Sequence, residues 1–152
     1  MSENMSLQDF HKNQAINLFN HTWDIIDKKD RTKEESLEMI HSSHTSLYHW
    51  FKIGDDSNLF IGEWLISRVY CEANMPESAI YHSKISKEIC DKNDFKGFNL
   101  AYSYEGLARA YALSGDKDKA LNYKKLAEEE AENIDVEENR KALLSDLESI
   151  NI

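Results

Sequence analysis

The chain has little material for sheets or tight turns. Its 152 residues include five glycines and one proline, too few for the many turns of an all-β fold. Cysteine is also scarce. Cys71 and Cys90 are too few and too far apart for a disulfide framework, and both lie in apolar stretches, so they read as buried reduced thiols. No run approaches about 18 uncharged apolar residues, the length of a membrane span. The opening Met-Ser-Glu-Asn-Met-Ser lacks the basic-then-apolar layout of a secretion signal, so the protein is expected to be cytoplasmic. Positive charge is the last shortage: 18 lysines and arginines face 28 acidic residues, a formal net charge of -10. That balance argues against a nucleic-acid backbone or an anionic membrane as partner.

Motifs of chemistry are missing as well. There is no glycine-rich phosphate loop, no Gly-x-Ser-x-Gly elbow, no His-Glu-x-x-His and no Cys-His pair at a recognisable spacing. Asp91 to Gly97 has the outline of a calcium loop, but its glycine comes one place late and Phe95 occupies a ligand position. No catalytic residue, cofactor or metal is therefore expected.

What remains is helix. An apolar content of 41% suffices for one substantial core, so residues 1–152 read as a single domain, with 1–7 a candidate disordered N-terminus. Ile16, Phe19, Trp23 and Ile26 recur at steps of three and four, marking a first helix near 8–29. Thr32 and Glu35 form a capping box for a second near 33–53, whose seam reads Leu37, Ile40, His44, Leu47 and Phe51. The third, near 57–74, is apolar on nearly every side and must have neighbours all round. Its Glu63, Ser67 and Arg68 are then the polar groups most costly to leave unpaired. Pro76 suits the first turn of a fourth helix near 77–92. Asp94 reads as the cap of a fifth near 95–114. A sixth follows near 117–133. Asp135 and Glu138 suggest a second capping box, opening a seventh helix near 136–150 with Leu143, Leu147 and Ile150 on one side. About half of the acidic excess lies beyond Gly115, in runs such as Glu128-Glu129-Glu130, which read as a solvated helix face.

Residues 104–127 carry the densest pattern. Tyr104, Leu107, Ala108 and Tyr111 keep helical spacing, Gly115-Asp116 interrupts it, and Ala120, Tyr123 and Ala127 resume it. Small residues at 108 and 120 would let two helices approach closely, and Gly115 can take the left-handed conformation that ends the first. This order resembles a tetratricopeptide repeat, although Lys124 stands where a large aromatic is usual and the closing proline is missing. Aligning Ala79 with Ala120 places Ile66, Ser67, Arg68 and Tyr70 on Leu107, Ala108, Arg109 and Tyr111, an echo at an offset of 41 residues. The expectation is an all-α stack of antiparallel helical hairpins, a tetratricopeptide-like α-solenoid of about seven helices, with 136–150 as its capping helix.

Three segments concentrate polar and aromatic groups: 43–50, 62–70 and 102–111. With the overall layout they resemble an uncharacterised bacterial family of tetratricopeptide-like proteins over most of the chain. That resemblance implies a fold and a shared surface, and no reaction. His41 and His44 lie three apart with His49 nearby, but a step of five turns His49 away, and a metal site would need Glu63 or Glu105 from other helices. Glu105 precedes Arg109 by four, and Trp64 precedes Arg68 by four, which would let the guanidinium lie over that indole. These pairs read either as packing devices or as parts of one groove. In the groove reading the protein is a non-catalytic binding module for a protein or peptide bearing acidic groups. Its contacts are Tyr48, His49, Trp50, Arg68, Tyr104 and Arg109, with His44, Glu63, Trp64 and Glu105 as secondary candidates. Two alternatives stand beside it: a small-molecule or metal-dependent sensor or enzyme built on His44, Glu63 and Glu105, and a homo-oligomeric structural unit.

Overall fold

The computed structural model describes residues 5–152 and places in them seven α-helices and one short 3-10 turn, with no strand among the described residues. The helices are α1 (Leu7–Ile26), α2 (Lys33–Ile53), α3 (Asp56–Glu72), α4 (Pro76–Asn93), α5 (Phe98–Ser114), α6 (Lys117–Glu130) and α7 (Glu137–Glu148), with the turn Ala131–Asn133 after α6. The class is the all-α one expected. Of the segment 1–7 read as disordered, residues 1–4 lie outside the described residues. Ser6 accepts a hydrogen bond from the Asp9 amide as the cap of α1, and Leu7 is already helical.

Most helix ends follow the local chemistry. Thr32 and Glu35 form the reciprocal capping box, and Asp55 makes a second one with Asn58. Gly115 closes α5 at φ 88, and Asp116 opens α6 by accepting from the Lys119 amide. Two expected caps are corrected. Asp94 does not open α5: it closes α4 in the left-handed conformation, and Gly97 precedes α5 instead, at φ 64 and ψ -124. That conformation is essentially reserved for glycine, and a β-carbon there would lie 2.8 Å from the Asn133 carbonyl oxygen. The Asp135–Glu138 box does not form either, because α7 starts one residue later, with Val136 at the cap position and no side-chain bond to it.

The α2 seam is also corrected. Leu37 and Phe51 are exposed, while Met39, Ser42, Ser43, Ser46 and Leu47 are buried. Close approach explains the rotation. Ser46 donates to the Ala15 carbonyl at 2.7 Å, and Thr22 and Ser42 share a hydroxyl contact at 2.7 Å, so α1 and α2 meet through small side chains whose polar atoms are satisfied. The device recurs between α3 and α4, where Ser67 bonds Ser83 at 2.7 Å and the Ala79 carbonyl at 3.0 Å. Ser67, Ala79, Ala108 and Ala120, the small residues of the echo, are all closed to solvent.

Consecutive helices pack most heavily in the pairs α1 with α2, α3 with α4, and α5 with α6, joined through α2 against α3 and α4 against α5. Within the first and last of these pairs, later residues of one helix meet earlier residues of the next. Ala15 meets Ser46 while Thr22 meets Ser42. Gly97 meets Glu130 while Tyr111 lies under Lys119. At the far end, Leu143, Leu147 and Ile150 bury themselves among Tyr102, Ala127, Ala131 and Ile134.

Candidate functional site

The best-built polar site begins with Glu105, a carboxylate on α5 with no solvent exposure. A buried charge persists only where its oxygens are paired. Trp64 Nε1 donates to Glu105 Oε2 at 2.8 Å, and Arg109 Nε donates to Oε1 at 2.9 Å. Arg109 then reaches α7: its Nη2 donates to the Asp146 carbonyl and to Ser149 Oγ, each at 2.9 Å. Tyr102 Oη adds a bond to the Asp146 carboxylate at 2.8 Å.

On α3 the counterpart is Arg68, whose Nε donates to Glu72 Oε2 at 3.3 Å while Arg31 Nη2 holds Oε1 at 3.2 Å. The expected stacking of Arg68 on Trp64 is corrected: the guanidinium lies 5.8 Å over the ring of Trp23. The reason is that Glu105 holds the Trp64 N–H and turns that indole toward α5, where it meets Tyr102 edge-on at 5.3 Å, while it also leans on Trp23 of α1 at 5.9 Å. Three of the chain's four arginines thus share one cluster with two carboxylates. With the Asp146 carboxylate beside them the formal charges balance, in a chain of net charge -10. A cavity of about 310 Å³ opens beside it, lined by Cys71, Glu72, Arg109, Leu113 and Ser149. Burial pushes the Cys71 thiol up to about 12, so it stays protonated and is a poor nucleophile.

A second polar cluster joins α2, α3 and α4. His82 Nδ1 pairs with Glu63 Oε2 at 2.7 Å, and His44 Nε2 meets Tyr70 Oη at 2.9 Å. The imidazoles of His44 and His82 are 5.4 Å apart, and His82 stacks on Tyr70 at 5.6 Å. Burial, followed by the charge of His82, holds the His44 pKa below its ordinary value, with Glu63 opposing. His82 was not among the expected site residues, and neither were Trp23, Arg31 and Glu72 of the arginine cluster. The signal for His82 was Glu63 itself, a carboxylate on an all-round apolar helix that required a partner on a neighbouring one. Glu105 belongs to the arginine cluster, so the convergence of His44, Glu63 and Glu105 supposed for an enzyme or metal sensor does not form. Among the described residues no group of three or more His, Cys, Asp or Glu is placed to hold a metal ion.

The remaining expected contacts lie elsewhere. His49 faces His11 of α1, with their Nδ1 atoms 2.8 Å apart, and Tyr48 is exposed under Lys52. Trp50 lines a separate apolar cavity of about 170 Å³ with Ile16, Phe19, Asn20, Asn58 and Ile61. Tyr104 packs over Tyr123 at 6.2 Å with Lys87 above it, on another side of α5 from Arg109. The six residues therefore do not share one groove. Five helical positions rotate a side chain by about 140°, which separates Tyr104 from Arg109 and Glu63 from Arg68.

No family model, curated protein or solved structure matches the chain. Its chemistry must be read from its own geometry. No described helix is long and apolar enough to cross a membrane. The arginine cluster offers anchored guanidinium groups beside two indoles, an arrangement suited to binding carboxylates. Among the described residues neither terminal nitrogen of Arg68 has a protein partner, and Arg109 Nη1 has none. In the His44–His82 cluster one nitrogen of each imidazole is bonded within the cluster, to Tyr70 and to Glu63.

Proposed function

We propose that this chain is a non-catalytic binding module of tetratricopeptide-like architecture, in which antiparallel helical hairpins stack into a solenoid. Its recognition surface is the face carrying Trp23, Trp64, Arg68 and Arg109, and its partner is an extended protein segment with acidic groups. The observation that carries this reading is the gathering of Arg31, Arg68 and Arg109 around two indoles, with guanidinium donors at Arg68 and Arg109 that have no partner among the described residues. Scattered lysines would keep an acidic protein soluble; pre-oriented arginines on aromatic rings suit recognition.

Arg68→Ala is the discriminating variant. Its partner Glu72 keeps Arg31, so the stability cost should stay near about 1 kcal/mol. Loss of a recognition arginine costs about 2 kcal/mol or more in binding. Tagged protein recovered from the native cell should therefore retain its partner as wild type and lose most of it as Arg68→Ala, with unchanged helical circular dichroism. Equal retention by both would refute the reading.

A second reading, self-association, is favoured by a different observation. Leu7, Phe10, Tyr48 and Phe51 are exposed where the start of α1 meets the end of α2, with Phe10 5.8 Å from His49 and His49 6.0 Å from Tyr48. Such exposed apolar groupings mark interaction sites. Under this reading light scattering gives a mass rising toward that of a dimer with concentration, and a constant monomer mass rejects it.

A further inference from the structure

We propose that His44 on α2 and His82 on α4 form a proton-operated latch, which holds the α1–α2 pair against α3 and α4 at neutral pH and loosens it in weak acid. The inference rests on the fold alone and stands independently of the recognition surface.

The geometry allows one proton fewer than the pair can take up. Glu63, buried on α3, accepts from His82 Nδ1 at 2.7 Å and can balance one imidazolium. Among the described residues His44 has no carboxylate bonded to it. Its contact is Tyr70 Oη at 2.9 Å, and Nε2 can accept the phenol proton only while His44 is neutral. Burial holds the Tyr70 phenol above its ordinary pKa, so it remains a donor. Protonating His44 removes the acceptor, forces Tyr70 to turn its lone pair inward, and sets a cation 5.4 Å from the His82 imidazole. The other titratable groups around the pair do not relieve this. His41 on α2 adds to the repulsion, and Tyr81 on α4 presents a ring edge to His82 at 5.2 Å.

The other bonds across the same junction involve no histidine, the ordinary responder between about pH 5 and 8. They are the Arg31–Glu72 bridge, the Trp23 contacts with Trp64 and Arg68, and the apolar cluster of Ile25, Ile26, Met39, Leu65 and Val69. Acid therefore weakens this junction without dissolving it. On the opposite side α1 meets α2 through His11 and His49, whose facing Nδ1 atoms at 2.8 Å need one proton between them.

The sign follows from linkage. The closed state holds His44 below the ordinary 6.5, so the open state takes up the proton first. The stabilisation is complete above about pH 6.5 and fades as pH falls below it.

Hydrogen exchange, corrected for intrinsic rates, at about pH 7.5 and about pH 5.5 reads the latch directly. Protection in α1 and α2 should fall in acid, by up to about tenfold, the ceiling for one proton over one pH unit, while protection in α5 to α7 holds. His44→Gln, which keeps a hydrogen-bonding group but does not titrate, should flatten that response, and His82→Gln, which removes the neighbouring imidazole but not the burial, should reduce it. If one variant fails to fold, the other carries the test. His11→Gln/His49→Gln should leave the exchange of α3 and α4 residues at the junction as in wild type. Unchanged protection of α1 and α2 in wild-type protein, or the same fall in a folded His44→Gln or His82→Gln variant, overturns the proposal.

Discussion

Glu105→Ala should cost about 3–5 kcal/mol of folding stability, the usual penalty for leaving a buried charge without its partner. The substitution strips Trp64 Nε1 and Arg109 Nε of their acceptor at once, in a position with no solvent exposure. Water cannot replace the lost oxygens without opening the α3–α5 contact. Against a total stability of about 5–15 kcal/mol for a domain of this kind, such a loss is visible as a large drop in the urea midpoint. Replacing both members, Glu105→Met with Arg109→Met, should recover at least half of it, because a well-packed apolar pair can equal a buried ion pair. A Glu105→Ala variant as stable as wild type within about 0.5 kcal/mol, the range of surface substitutions, would show that the carboxylate is not the pin of this site. The same logic makes Arg109→Ala a poor probe of binding: it would strand Glu105, and lost partner capture would then report unfolding.

Much of the fold was legible before the structure because it rests on local rules. Thr32 with Glu35, Gly115 with Asp116, and Pro76 punctuate helices through side-chain and backbone chemistry that acts within one turn. The Glu105–Arg109 pair was legible for the same reason, as both residues lie on one helix. What escaped depends on neighbours distant in sequence. Ser42 and Ser46 look like a polar face, yet they are buried because α1 comes close enough to use their hydroxyls. Arg68 chose the indole of Trp23 over that of Trp64 because Glu105, 41 residues beyond Trp64, had already claimed the latter. His82 gave no periodic signal and became visible only as the answer to Glu63. The scatter of Tyr48, Trp50 and Tyr104 away from Arg109 was partly foreseeable. The five-residue step that turns His49 from His44 turns Tyr104 from Arg109 equally.

Leu143→Ala combined with Leu147→Ala should have the largest effect of all. Both side chains are fully buried against Ala127, Ala131 and Ile134, and each truncation costs about 2–5 kcal/mol when its cavity cannot collapse. The helix that carries them is short, only 12 residues, and such helices owe their stability to packing more than to intrinsic propensity. Once α7 lifts, Tyr102 loses Asp146, Arg109 loses Ser149, and the apolar end of the α5–α6 pair is exposed. The double variant should therefore bind a hydrophobic dye and lose exchange protection first in α5 and α6. Where that loss stops is the sharper measurement. In a stack whose units contact only their neighbours, stability is a sum of unit and interface contributions. The α1–α2 pair should then keep most of its protection while the far end frays. Uniform loss across all seven helices would mean that the chain unfolds as one body, and the proposal of stacked, semi-independent hairpins would fail with it.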